Sequence, residues 1–422
     1  MLEGMLERYF VLAVFLATYF FIIYGKMPRS VIVFTMGMLI AFARVVESMQ
    51  THNIGIFVDF NTIGLLLGMM ILVGLLKETG LFQYIAIKVT RLAGNSFWKL
   101  VVYLTISIAF LSAVLDNVTT ILLLSPILLL IADTVRVDPT PLVIMAVTAS
   151  NIGGTMTIIG DPPNILVASA AKIGFLRFSA FMIPPSLLIL VLSILYFKRM
   201  IDVQSEAGER IRQLQFMDEE KLITDKKLLR RLLIIFIAVI ALFIIHEQMD
   251  MEMATIALMG AAVATLVSRK TFDEVVKSVE WDSIFLFVGL FMLSFALEEV
   301  GIIDYLVGSI TKIAHGDMAL RLAIVWISGI SSAFIGAVPT ATVMIPVLRG
   351  VEFSSLIHWY CLALGASLGG IGTLVGTASN IVGVGMLENH SGGQVTYSKF
   401  LRINFPLMLL ALSLVSVYVS LF

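Results

Sequence analysis

Cysteine is almost missing, with one residue, Cys361, in a chain of 422. A lone thiol excludes an intrachain disulfide and a Cys-rich metal cage. Charge is scarce as well. Asp, Glu, Lys and Arg make up 14% of the chain, against about 25% in soluble domains. The histidines (His52, His246, His315, His358 and His390) never share i,i+4 spacing, so no His pair marks a metal site. There is no Gly-x4-Gly-Lys-Ser/Thr run, which removes the P-loop nucleotide site. No nucleophile–base set is visible, and an enzyme is not expected. A net charge of −1 offers nothing to nucleic acid.

What is present is apolar. The chain is 59% hydrophobic and its mean hydropathy is +1.01. This composition describes a polytopic helical membrane protein in contact with lipid. The first apolar run, 9–24, follows Glu3, Glu7 and Arg8 and has no small-residue cleavage site before Lys26. It reads as a retained helix, not a signal peptide. Two amphipathic pieces, 81–92 and 302–314, read as interfacial. The stretch 198–231 holds nine Lys/Arg and seven Asp/Glu and reads as a solvated connector. The expected organisation is an N-terminal helix (1–30), a first repeat (31–197), the connector (198–231), a linking helix (232–250) and a second repeat (251–422).

The repeat shows in the breakers and polar residues. Ser112-Ala-Val-Leu-Asp-Asn-Val-Thr-Thr lines up with Ser332-Ala-Phe-Ile-Gly-Ala-Val-Pro-Thr at an offset of 220. Gly153-Gly154, Gly160 and Asn164 line up with Gly369-Gly370, Gly376 and Asn380 at 216. Gly68, Glu78, Gly80 and Tyr84 line up with Gly289, Glu299, Gly301 and Tyr305 at 221. Basic residues collect on the cytoplasmic side of membranes. With the connector inside, 21 of the 28 Lys/Arg fall inside, provided 98–134 and 320–348 are re-entrant hairpins entering from opposite faces. The expected fold is therefore all-α and polytopic. It has two inverted-topology repeats, each with a re-entrant helical hairpin and a broken transmembrane helix, an arrangement of secondary transporters with midplane sites.

The stretch 151–164 carries three glycines, two prolines, two amides, two threonine hydroxyls and a carboxylate inside an apolar segment. Glycine loosens helical geometry and proline removes a donor, so a helix must break there. In a bilayer, broken backbone survives only where protein buries it or a watery cavity receives it. Asp116-Asn117 sits between two apolar arms, and a carboxylate at membrane depth costs roughly 3 kcal/mol on insertion scales. Asp116 is expected to carry a cation or proton, to cap the following helix, or both. Thr119 and Thr120, with Thr340 and Thr342 in the second half, lie in first turns of arms, where bare N–H groups suit an anion. Asn164, Ser379 and Asn380 are expected beside them at the breaks. Asn117, Asn151, Thr157, Asp161, Thr373 and Thr377 are expected to join Asp116 in holding a coupling ion. The paired glycines at 153, 154, 369 and 370 read as close-packing positions. Glu78, Glu298, Glu299 and Arg349 read as interfacial.

The first-half motifs Ser112-Ala-Val-Leu-Asp-Asn-Val-Thr-Thr, Asn151-Ile-Gly-Gly and Gly160-Asp-Pro-Pro-Asn resemble those of the ion transporter superfamily. The branch is that of arsenite permeases, NhaD-type Na⁺/H⁺ antiporters, citrate–metal transporters and the melanosomal P protein. The resemblance implies a scaffold plus a moving transport domain, commonly in a homodimer. It implies that Asn117, Thr119, Asn164, Thr340 and Asn380 lie at ion and substrate sites. The chain departs from the pattern at Gly336-Ala337, where members often carry an Asp-Asn or Asn-Asn pair. The expected function is elevator-type movement of a small anion or oxyanion-like solute, arsenite or carboxylate in type, coupled to Na⁺ or H⁺. The alternative is a Na⁺/H⁺ antiporter exchanging on Asp116 and Asp161. A third arrangement pairs the chain with a soluble ATPase subunit on the 198–231 loop. The expected location is the cell inner (plasma) membrane, with that loop cytoplasmic. No cofactor beyond the coupling ion, and no metal beyond Na⁺, is expected.

Overall fold

The computed structural model describes residues 2–25, 27–201, 210, 223–313, 316–351, 354–391 and 397–422. Most of the expected 198–231 connector lies outside the described residues. Among the described residues there are helices and turns and no strand. In chain order the first half holds α1 (Leu2–Tyr24), α2 (Arg29–Phe42), the single turn α3 (Ile54–Phe57), α4 (Phe60–Glu78), α5 (Leu81–Leu92), α6 (Phe97–Ser112), α7 (Asn117–Val135), α8 (Pro139–Thr155), α9 (Pro162–Ala171) and α10 (Phe175–Lys198). The second holds α11 (Lys226–Ile245), α12 (Met253–Ser268), the short α13 (Phe272–Val276), α14 (Trp281–Glu299), α15 (Ile302–Ile313), α16 (Asp317–Ile335), α17 (Ala337–Gly350), α18 (Leu356–Gly369), α19 (Ala378–Ser391) and α20 (Tyr397–Val419). Eight helices among the described residues are long and apolar enough to cross a membrane.

Local chemistry sets the boundaries. Asp59, Ser96, Asp116, Asp138 and Asp225 each accept a backbone N–H of the helix they precede. Such caps satisfy donors that a helix start leaves bare. Pro139 and Pro162 begin α8 and α9, where a missing N–H costs nothing. The breaks fall where expected, at residues 156–161 and 370–377. The tip between α16 and α17 is Gly336, with φ of +104°, a backbone that an L side chain rarely adopts. The glycine standing where the first half has Asp116 is therefore a geometric requirement of this turn.

The helices sort into two packed groups. In one, α2 lies on α14 and α12 lies on α4, so each half lends a helix to the other's first long span. Outside these, α1 packs on α2 as α11 packs on α12. In the other group, the hairpin α6–α7 wraps α8, and the hairpin α16–α17 wraps α18. The crossings there are tight at matched points. A methyl on Gly153 would strike the Ala109 backbone, and one on Gly369 would strike the Gly329 backbone. The half-helices α9 and α19 then cross into the other half, α9 onto α17 and α18, α19 onto α7 and α8. The amphipathic pieces are the helices α5 and α15, and each links the first group to its hairpin. The architecture is the expected one: all-α, two inverted halves, each with a helical hairpin and a broken helix.

Candidate functional site

Where the halves interlock, the two restart asparagines do matching work. Asn164 is fully buried and donates from Nδ2 to the freed carbonyls of Gly154 (3.1 Å) and Thr157 (2.9 Å). Asn380, equally buried, donates to Gly370 O (2.9 Å) and Thr373 O (2.7 Å). Each also accepts from the opposite half. Ser367 Oγ donates to Asn164 Oδ1 at 3.1 Å, and Asn151 Nδ2 donates to Asn380 Oδ1 at 2.8 Å. The hydroxyls of Thr157 and Thr373 donate to the carbonyls of Ala113 and Ala333, just before the two hairpin tips. In this conformation these groups hold the breaks open and bind the tips to them.

The tips and restarts face a cavity of about 150 Å³. Four helix starts line it: Asn117 of α7, Pro162 of α9, Ala337 of α17 and Ala378 of α19. The starts of α2 and α14 reach it through Arg29 and Glu280. Bare N–H groups and the partial positive charge of a helix start both favour an anion. The side chains divide this field in two. On the first-half side stand the carboxylates of Asp116, Asp161 and Glu280; on the second-half side stand Gly336, Thr377 and the Arg29 guanidinium.

The acidic side is linked by hydrogen bonds. Asp116 Oδ1 accepts the Thr119 N–H at 2.7 Å, and the Thr119 hydroxyl donates to Glu280 Oε1 at 3.4 Å. Asn117 Oδ1 accepts from Ser112 at 2.5 Å, while its Nδ2 donates to Asp161 Oδ1 at 3.2 Å. The second oxygen of Asp161 has no hydrogen-bond partner, although the residue is only 4% exposed. An orphaned buried carboxylate oxygen calls for a cation or a proton. Among the described residues no three of His, Cys, Asp and Glu are close enough to share one metal ion. On the other side Arg29 Nη2 donates to Val375 O at 3.1 Å.

Two wider openings flank the cavity. One holds Lys77, Lys270, Lys277, Glu78, Thr119 and Glu280, and shares Met70, Asp116 and Glu280 with the cavity. The other holds Asp59, Ser169, Thr342, Glu298, Glu299 and Arg349 and shares no wall residue with it. The cavity therefore adjoins the lysine-rich opening and is sealed from the glutamate-rich one. The two openings are copies: Asp59 and Glu280 stand just before α4 and α14 at the repeat offset, as Leu122 and Thr342 match on the hairpins.

Of the expected residues, Asp116, Asn117, Asp161, Thr377 and Ser379 line the cavity. Thr119 faces the lysine-rich opening, and Thr342 faces the sealed one, with its hydroxyl returned to Val338 O. Thr120 donates to Asp116 O. Asn151, Thr157, Asn164, Thr373 and Asn380 lie behind the wall in the network that shapes it. Thr340 is buried with its hydroxyl unpartnered and is not on the wall. Sequence reasoning missed Arg29 and Glu280. Arg29 looked like one loop charge among several. Glu280 carried a legible signal, since it repeats Asp59 as an acid before a long apolar run.

Repeated halves, interlocked breaks and a charged cavity between them, in a chain of apolar spanning helices, define a polytopic membrane transporter. The citrate transporter (CitMHS) family profile matches residues 19–360, and the chain belongs to that family. It is 32% identical over 415 residues to the uncharacterized transporter Mb2703 of Mycobacterium bovis, covering 96% of each chain. It is 31% identical over 441 residues to the human P protein, covering 84% of this chain and 52% of that protein. The crystal structure of the YdaH transporter of Alcanivorax borkumensis superposes with a TM-score of 0.61 at 14% identity, over 90% of this chain and 89% of that one, a likeness of fold.

Proposed function

We propose that this protein is a secondary active transporter of a small carboxylate or oxyanion, coupled to Na⁺ or H⁺. The observation that carries the reading is the split of charge in one cavity fed by six helix starts. The second-half side, with the starts of α17 and α19 and Arg29, suits an anion. The first-half side, with three carboxylates and an orphaned Asp161 oxygen, suits the coupling cation or proton. Alternating access by inverted repeats then moves the site between the two openings. We take the hairpins as re-entrant, the moving body as α6–α10 with α16–α20, and the assembly as a homodimer in the cell inner membrane. The lysine-rich opening and the 198–231 loop lie on the cytoplasmic side in this reading, as the placement of Lys and Arg favours.

The excess of three carboxylates over one guanidinium favours a second reading, a Na⁺/H⁺ antiporter needing no other solute. Purified protein in liposomes with an internal pH dye separates the two. Na⁺ added outside without any carboxylate or oxyanion should leave the lumen pH unchanged if solute transport is correct. Labelled citrate, arsenite and phosphate should then be tested, and one should accumulate with an ion gradient. Na⁺-driven alkalinisation in the absence of solute would instead establish the antiporter.

A further inference from the structure

Arg29 sits on a different packed group from the tip it serves. It begins α2, which packs with α14, while Gly336 and Val375 belong to the hairpin and broken helix of the other group. A methyl built on Gly336 would lie 3.8 Å from Arg29 Nη1. At the matching tip of the first half the chain carries its own charge, Asp116. At the second tip the charge has the opposite sign and is brought by a neighbour.

The repeat identifies what stands in Arg29's place on the other side. A methyl on Gly289 would meet the Phe34 backbone, and one on Gly68 would meet the Ala257 backbone. The pair α2–α14 is therefore copied by α12–α4, with Phe34 matching Ala257 and Gly289 matching Gly68. The same register matches Arg29 with Glu252 and Glu280 with Asp59. A side-chain bond ties each pair of helix starts together, Ser30 Oγ to Asp282 at 2.8 Å and Asn61 Nδ2 to Glu252 at 2.8 Å. In an inverted repeat, the opposite-facing state sets the moving group against the copied partners. There the cavity meets Asp59 and Glu252, two acids, where here it meets Glu280 and Arg29.

We infer that Arg29 is a side-specific anion anchor: a tethered cation that takes the place of a diffusible one at the second hairpin tip, present only while the cavity opens to the lysine-rich face. On the opposite face the second tip meets Asp59 and the first tip meets Glu252, so two carboxylates stand in the cavity where Glu280 and Arg29 stood, and they favour release of the anion. The site thus holds its anion more tightly on the lysine-rich face. This inference rests on the anion-transport reading above.

The test uses the full chain in liposomes sorted by exposed face, with labelled citrate, arsenate and phosphate, all anionic at neutral pH, as probes in counterflow. For a transported probe, wild type should show the lower KM on the lysine-rich face. Arg29→Gln should raise that KM at least about tenfold, the loss expected for one charge-assisted hydrogen bond, and leave the opposite KM within about twofold. Arg29→Lys should keep part of the difference. Glu252→Gln should lower the KM on the opposite face, a gain that a misfolded variant does not mimic. Equal changes on both faces, or none, overturn the inference while leaving anion transport standing. A wild type that moves none of the three probes overturns the anion reading and this inference with it.

Discussion

Asp116 ends one arm of a hairpin and starts the other. Its carboxylate accepts the Thr119 N–H while its residue lines the cavity. Capping and ion handling therefore rest on the same side chain. Asparagine caps about as well as aspartate, so Asp116→Asn should change stability by less than about 1 kcal/mol. It removes the charge, so ion-coupled flux should fall at least about tenfold, a barrier change of roughly 1.4 kcal/mol or more. Thermal unfolding in detergent and liposome flux on the same preparation check both halves of this expectation. Normal flux would remove Asp116 from the coupling site. Asp161 differs in that its unpartnered oxygen is buried.

At the scale of elements, the two broken helices are held by Asn164 and Asn380 rather than by bulk packing. Each amide satisfies carbonyls that the break would leave bare in an apolar interior. Removing the amide should strand those acceptors, at about 1–3 kcal/mol each. Asn164→Ala and Asn380→Ala should therefore each destabilise the protein by roughly 2–5 kcal/mol, and by similar amounts, since each amide serves the matching pair of carbonyls and accepts one bond from the opposite half. Thermal melts in one detergent decide this, and a large inequality would break the equivalence. The tight crossings give a companion expectation. Gly153→Ala forces a methyl into the Ala109 backbone, as Gly369→Ala does at Gly329. Overpacking of this kind costs about 1–3 kcal/mol where the neighbour is backbone, which has little freedom to yield.

For the whole molecule, the cavity joins one opening and not the other. Lys277 and Glu299 are exposed at the two openings, and the only native thiol, Cys361, is buried. With the lysine-rich face inside, a membrane-impermeant maleimide applied to intact cells should label Glu299→Cys and spare Lys277→Cys. Permeabilised cells should show both labelled. The reverse pattern would invert the orientation and, with it, the side on which Arg29 meets the cavity.

The sequence by itself determined the class, the repeat and the break points. These are local or periodic signals: apolar runs of spanning length, glycine and proline where helices must stop, and polar residues returning in order one half later. It also marked Asp116, Asn117 and Asp161, because a polar group at membrane depth is conspicuous against its neighbours. It did not separate residues that line the cavity from those that shape it. Asn164 and Thr342 looked like ligands on equal terms, yet one is enclosed in a hydrogen-bond network and the other faces the sealed opening. That choice depends on which way a side chain points once two halves interlock. Arg29 and Glu280 were decided by tertiary structure in the same way. Both lie far in sequence from the motifs, and only the exchange of helices between halves brings their charges to the hairpin tips.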